Sequence, residues 1–192
     1  YYSMIKNVGF SKAINFGIKK TNTPYVLSLN PDTIIKPNTI NVMFSTFKQY
    51  ENLGAVGVKV LNSDNTMQLS SRRKFPYVYA VISKFINRIT KLIPNLYNYD
   101  NVNINIVQEV DTISGSCIMI NKNIFNLLNG FDERFFMYFE DTDFCIRLKK
   151  FNKKVIYNPN TTIVHFKGGS LNSFDKKIIN LKFYISMLRF IK

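Results

Sequence analysis

Tyr25-Val26-Leu27-Ser28-Leu29-Asn30-Pro31-Asp32 decides the fold. Five β-rich, largely apolar residues run into a proline, which cannot donate to a sheet ladder, so the segment reads as a strand that stops at Asn30. Asp32 then sits just past the strand's carboxyl end. In open α/β sheets those ends line the ligand crevice, so a carboxylate there is better placed for chemistry than for packing. Upstream, residues 11–20 carry Ala13, Ile14, Gly17 and Ile18 at helical spacing and end in the breaker run Thr21-Asn22-Thr23-Pro24. Downstream, residues 38–50 place Ile40, Met43, Phe44 and Phe47 on one predicted helical face, and residues 55–61 read as a second strand closed by the turn Asn62-Ser63-Asp64-Asn65. This alternation of helix and strand is the α/β class.

Farther along, residues 72–105 are aromatic and basic, contain Pro76 and Pro94, and become Asn-rich from 95 to 105; they read as a helical excursion followed by a mobile loop. Residues 110–113 and 117–120 are strand-like runs around Ser114-Gly115-Ser116, and residues 123–128 read as a helix stopped by Asn129-Gly130. Residues 141–151 repeat Phe144, Cys145, Leu148 and Phe151, the pattern of an amphipathic helix with acids in its first turn. Two short β runs, 154–157 and 161–166, precede a Lys-rich helical tail, 175–192. With no internal repeat or linker, residues 1–192 are expected to form a single domain.

Apolar residues at 46% and charged residues at 20% exclude a disordered or collagen-like chain. No apolar run approaches the roughly 20 residues a membrane span needs. Two cysteines, Cys117 and Cys145, are too few for a disulfide framework and read as small buried apolar side chains in a reducing compartment. The net charge is +14. It would draw a basic surface toward phosphates in nucleic acid, lipid or nucleotide, although 20 Lys and 24 Asn are also what an AT-rich genome produces. The acids are placed less evenly. Residues 1–31 contain none, and Asp132, Glu133, Glu140, Asp141 and Asp143 put five of twelve into twelve positions. Packed carboxylates need a cation, a proton or a hydroxyl to compensate them, so this island suggests chemistry or a metal; an acidic helix start favoured by the helix dipole is the bland alternative.

Several of these signals follow one another in the order of glycosyltransferase family 2, and most closely resemble its bacterial rhamnosyltransferase-like branch. The resemblance runs through residues 7–18 (Asn-Val-Gly-Phe-Ser-Lys-Ala-Ile-Asn-Phe-Gly-Ile), Leu29-Asn30-Pro31-Asp32, Ser114-Gly115-Ser116, residues 130–136 (Gly-Phe-Asp-Glu-Arg-Phe-Phe) and residues 140–147 (Glu-Asp-Thr-Asp-Phe-Cys-Ile-Arg). It covers nearly the whole chain and implies a GT-A, Rossmann-like fold: a mixed, mostly parallel sheet between helices. Residues 1–65 would then be the remainder of the nucleotide-sugar-binding half, 66–174 the acceptor and catalytic half, and 175–192 a carboxyl-terminal helix.

The resemblance also implies roles. Asp32 matches the metal-binding aspartate, with Asn30 in the first position of that element, and His165 matches a nitrogen ligand to the same Mg²⁺ or Mn²⁺; the flanking Gly168-Gly169-Ser170 matches too. One carboxylate plus substrate phosphates suffices for such a hard cation, and imidazole suits Mn²⁺ better than Mg²⁺. Asp141 matches the general base of an inverting displacement, Glu140 is a site-shaping neighbour, and Asp143 either flanks the base or pairs with Arg147 four residues on. Asn7, Gly9, Phe10, Ala13 and Asn15 match the segment bordering the nucleotide, and Ser114 and Gly115 a segment near sugar and acceptor. Arg72 and Arg73 either contact diphosphate or an anionic acceptor or belong to a solvated basic loop.

The implied reaction is transfer of a hexosyl or deoxyhexosyl unit, such as rhamnose, from a nucleoside-diphosphate sugar to a glycan or lipid-linked acceptor in the cytoplasm, with peripheral contact to anionic membrane and no nucleic-acid partner. The family's opening strand-helix-strand unit has no counterpart here. The chain is therefore expected to be part of a longer protein, with an exposed sheet edge and a weakened donor site if it stands alone. The net charge and the 17 Phe and 11 Tyr also fit a basic nucleic-acid- or anionic-surface-binding module, and a catalytically silent fragment is the third reading.

Overall fold

The structure, a computed structural model, describes residues 2–91, 95–99, 101–166 and 176–191. In chain order these form α1 (Phe10–Lys19), β1 (Tyr25–Leu29), β2 (Thr33–Ile35), α2 (Thr39–Gln49), β3 (Leu53–Leu61), β4 (Arg72–Arg73), α3 (Val78–Thr90), β5 (Gln108–Glu109), β6 (Thr112–Ile113), β7 (Cys117–Asn121), α4 (Lys122–Leu127), α5 (Glu140–Lys150), β8 (Lys154–His165) and α6 (Lys176–Ile191).

The main sheet runs β1-β7-β3-β8-β2, with β5 also paired to β8. Its long strands β1, β3 and β8 all point the same way, yet only β3 and β8 are hydrogen-bonded in parallel. The expected mixed sheet is present, but its parallel character lies in strand direction rather than in adjacency. The physical reason is β7, which inserts antiparallel between β1 and β3, while β2 and β5 pair antiparallel with β8. A second small ladder joins β4 to β6.

Strand β3 is buried on both faces almost throughout, the signature of a central strand. Alternation on β7 sends Ile118 and Ile120 into a core with Phe125, Phe131, Phe144 and Leu148, and sends Cys117 and Met119 into a second core with Met43, Val56, Val58 and Val60. Cys117 and Cys145 are free and buried, as their composition implied, and burial pushes both thiols up to about 12.

Three local expectations change. The buried face of α2 is Thr39, Met43 and Thr46, with Ile40 and Phe44 exposed, because the threonine hydroxyls bond across to Thr161 and Asn158 on β8. The two β runs after residue 153 are one strand, β8, whose register to β3 jumps from Val58↔Asn158 to Lys59↔Thr162 and leaves three residues as a bulge. The Asn-rich loop is tied down where it is described: Arg72 donates to the Val102 carbonyl, the Tyr157 hydroxyl to Ile104 O, and Lys59 Nζ to Asn105 Oδ1. Gly168, Gly169 and Ser170 lie outside the described residues, as do Pro94 and Asp175.

Candidate active site

Strand register builds the first half of the site. β2 pairs antiparallel with the end of β8, Thr33 opposite His165, and Phe166 N donates to Asp32 O at 2.9 Å. This register brings Asp32, at the turn after β1, against a residue 133 positions away. Asp32 Oδ1 and His165 Nε2 are 3.2 Å apart, with side chains only 13% and 14% exposed. Asn30 Nδ2 lies 3.4 Å from the same ring nitrogen, and the Asn30 amide donates to Ser116 O, which fixes the turn to β7.

The second half is the start of α5. Its acids sit in the first turn and Arg147, Lys149 and Lys150 in the last, complementing the helix dipole. The chain enters this helix through two residues in the left-handed region, Tyr138 (φ 68°) and Phe139 (φ 69°). Such backbone costs about 1–3 kcal/mol per residue and persists only where neighbours enforce it. α6 does so: Ser186 Oγ donates to Met137 O, Arg189 to Arg134 O, and the Phe139 ring packs on Phe183 and Phe190. From below, Gly9 at φ 86° lets the start of α1 abut this segment. A Cβ there would lie 2.6 Å from Phe136 O, and Phe10 N donates to that oxygen at 2.8 Å.

Asp141 is fully engaged. Oδ2 accepts from Arg73 Nη2 at 2.7 Å and from Gly115 N at 3.1 Å, and Oδ1 accepts from the amide and hydroxyl of Thr142. Burial works against the Arg73 charge, but Asp141 and Tyr97 outweigh it and hold the guanidinium above its ordinary range. Glu140 differs. Its residue is 7% exposed, and its Oε2 has no hydrogen-bond partner. Burial, reinforced by the Asp141 charge, pushes this carboxyl up to about 8.

These groups open onto one cavity of about 350 Å³, a volume suited to a small-molecule site. Asn30, Asp32, His165, Glu140 and Asp141 line it, joined by Phe10, Ser114 and Gly115. Nine of the residues singled out in the sequence miss or reach it as follows: Asp32, His165, Asn30, Glu140 and Asp141 converge, whereas Asn7, Ala13, Asn15 and Asp143 do not. Asn7 is exposed and uses its Oδ1 to accept Gly9 N; Ala13 is exposed on α1. Asn15 is a structural clamp: its amide brackets Phe131 through the latter's N and O and reaches Glu133. Asp143 pairs with Arg147 at 2.6 Å, and Arg147 in turn caps the carbonyls of Leu128 and Gly130. A larger cleft, about 530 Å³, lies elsewhere, beside Asn15 and Arg147. Its Glu133 and Arg147 are spent on these loop contacts, and its Asp132 on Arg134.

Of the two sequence alternatives for Arg73, the structure shows neither a solvated loop nor a free cation but a pair with Asp141. Gln68, 1% exposed, was not singled out at all; a lone amide inside Met67-Gln68-Leu69 was the available signal.

A hard cation fits what is present. Asp32 Oδ1 is buried without a hydrogen bond although it faces an imidazole nitrogen, and an oxygen and a nitrogen donor together suit Mn²⁺. Among the described residues no three His, Cys, Asp or Glu side chains gather as a group able to hold a metal ion. Among them, too, no helix is long and apolar enough to cross a membrane.

Comparison with known proteins shows the family and the fold. Residues 1–128 match the family model described as Glycosyl transferase family 2. The chain is 26% identical over 179 residues to N-acetylglucosaminyl-diphospho-decaprenol L-rhamnosyltransferase of Mycobacterium tuberculosis, covering 85% of this chain and 57% of that protein. It is 32% identical over 158 residues to rhamnosyltransferase WbbL of Escherichia coli K12 (80% and 56%), and 29% identical over 150 residues to the low-salt glycan biosynthesis hexosyltransferase Agl10 of Haloferax volcanii (76% and 45%). The chain thus spans about half the length of these relatives. A crystal structure of GalNAc-T7 with UDP, GalNAc and Mn²⁺ superposes with a TM-score of 0.60 at 11% identity, covering 86% of this chain and 32% of that one, which shows the GT-A fold.

Proposed function

The chain belongs to glycosyl transferase family 2, and from that premise we propose that it carries the reaction centre of an inverting glycosyltransferase. The donor is a nucleoside-diphosphate sugar, with rhamnose as the transferred unit, and the acceptor a glycan or lipid-linked saccharide. The observation that carries the reading is the convergence of Asp32, His165, Glu140 and Asp141, from three separate stretches of chain, on one cavity. Rhamnosyltransferases among the relatives support the sugar class.

In this reading Asp32 and His165 hold a divalent cation, which when bound neutralises charge on the departing diphosphate. Asn30 and the backbone around Ser114 and Gly115 position donor and acceptor. Asp141 takes the proton of the acceptor hydroxyl while that oxygen bonds to the anomeric carbon and the carbon–oxygen bond to the diphosphate breaks on the opposite face, inverting the centre. Arg73 balances the carboxylates until substrate arrives. A second assignment of the base has its own support. All four acceptor positions of Asp141 are already filled, whereas Glu140 Oε2 is unpaired, and its carboxyl, pushed up to about 8, is available as a base as pH rises through that value.

Product formation from a rhamnosyl donor, measured in the full-length protein, tests both. Loss of turnover by about a thousandfold or more in Asp141→Asn with only a small loss in Glu140→Gln supports Asp141, and the reverse supports Glu140. Full activity in both variants refutes the reaction centre. We also propose that the protein sits in the cytoplasm at the inner membrane face. In support, α3 exposes Ile82, Ile86 and Ile89 in a helical stripe, α6 exposes Leu181 and Leu188, and basic residues dominate both segments.

A further inference from the structure

We propose that Gln68 is a positioning residue that fixes the tautomer of His165 and turns the ring's Nε2 lone pair toward Asp32; the consequence for cation binding rests on the metal reading above. Gln68 is buried between the end of β3 and the end of β8, and its backbone is tied down. Its amide donates to Val60 O at 2.9 Å, and its carbonyl accepts from the Ser71 hydroxyl at 2.6 Å. Its side-chain Nε2 donates to the carbonyls of His165, at 2.8 Å, and Leu61, at 3.3 Å. Those two acceptors fix the amide's orientation, because a flipped amide would aim an oxygen at two oxygens. Oε1 is therefore the atom facing His165 Nδ1, at 3.2 Å.

An amide oxygen only accepts, so Nδ1 carries the hydrogen. In the neutral ring that leaves Nε2 with its lone pair. The assignment rests on Gln68; around Nε2 stand Asn30 Nδ2 at 3.4 Å and Asp32 Oδ1 at 3.2 Å. A carboxylate oxygen and an imidazole lone pair face each other across a gap that only a proton or a cation reconciles. Gln68 thus does for His165 what a second partner does for metal-bound histidines generally: it sets the tautomer, holds the ring plane and raises the basicity of the ligating nitrogen.

These 192 residues contain one histidine, so their ¹⁵N-labelled form gives one pair of ring nitrogen resonances. Long-range ¹H–¹⁵N spectra above the ring's titration should show Nδ1 protonated and Nε2 bare in the wild type, without need of any variant. The same spectrum with Nε2 protonated overturns the proposal. In Gln68→Met, similar in volume but without the amide, the ring should move toward the Nε2–H form that imidazole prefers in water, and Mn²⁺ affinity, read by water-proton relaxation, should fall about 10- to 100-fold. An unchanged tautomer in folded Gln68→Met also overturns it. A wild type with the expected ring form that fails to bind Mn²⁺ overturns the cation reading instead and leaves the ring assignment standing.

Discussion

Replacing Arg73 with Met removes a guanidinium and keeps most of the stem's volume. The cavity then holds Asp32, Glu140 and Asp141 without the cation that sits 2.7 Å from Asp141 Oδ2. Breaking a buried ion pair from one side costs about 3–5 kcal/mol, since the remaining charge is left in a poorly solvated site. Two features push the cost to the low end. The side chains are 18% and 11% exposed, so water reaches them in part, and Gly115 N and the Thr142 donors remain on the carboxylate. We therefore expect a loss of about 3 kcal/mol, which for a domain of this length lowers Tm by roughly 6–12 °C. Thermal melts of wild type, Arg73→Met, Asp141→Asn and the double variant complete a cycle whose interaction energy should reach about 2 kcal/mol. A Tm within about 2 °C of wild type for Arg73→Met, or strictly additive losses, would refute the claim that this pair holds the site together.

Glu140→Gln should stabilise the protein progressively as pH rises. Burial raises the Glu140 carboxyl from 4.5 to about 8, so its stability contribution is complete below pH 4.5 and is lost as pH climbs through about 8. Melts from pH 5 to 9 should show the gap between variant and wild type widening, and parallel curves would contradict this. Asp143→Asn should cost about 1–2 kcal/mol through the loosened Arg147 contacts, yet change turnover at a permissive temperature less than threefold; a hundredfold loss in a fully folded variant would return Asp143 to the chemistry. Gly9→Ala combines a left-handed φ with a Cβ 2.6 Å from Phe136 O and should cost about 3 kcal/mol in urea unfolding, a value under 1 kcal/mol being incompatible with that contact.

Local chemistry made much of this molecule readable in advance. Residues 25–29 are a strand because they are β-rich and apolar, and the proline after Asn30 ends it; the acids at 140–143 open a helix because apolar residues recur behind them at helical spacing. What local reading lacks is partnership. Arg147, four residues on, marks Asp143 for a pair on its own helix, but nothing near Asp141 announces Arg73, 68 residues away. Asn15, which the resemblance sets beside the nucleotide, is held by the loop at Phe131, 116 positions downstream. The same holds for α2, where periodicity favoured Ile40 and Phe44 but hydroxyl partners on β8 turned Thr39 and Thr46 inward. The sheet order follows this pattern too, since β7's place between β1 and β3 depends on a strand nearly 60 residues downstream of β3.

The bulge in β8 sets limits on how this protein can diverge. Asn158 bonds Thr46 and Thr161 bonds Thr39, so the interruption is stitched to α2, while the strand on its far side delivers His165 to the rim. Side chains alternate along a strand, and gaining or deleting a single residue here would carry the imidazole to the opposite face of the sheet. Identity at Pro159 and Asn160 is therefore less constrained than length, because a residue gained or lost there would part His165 from Asp32.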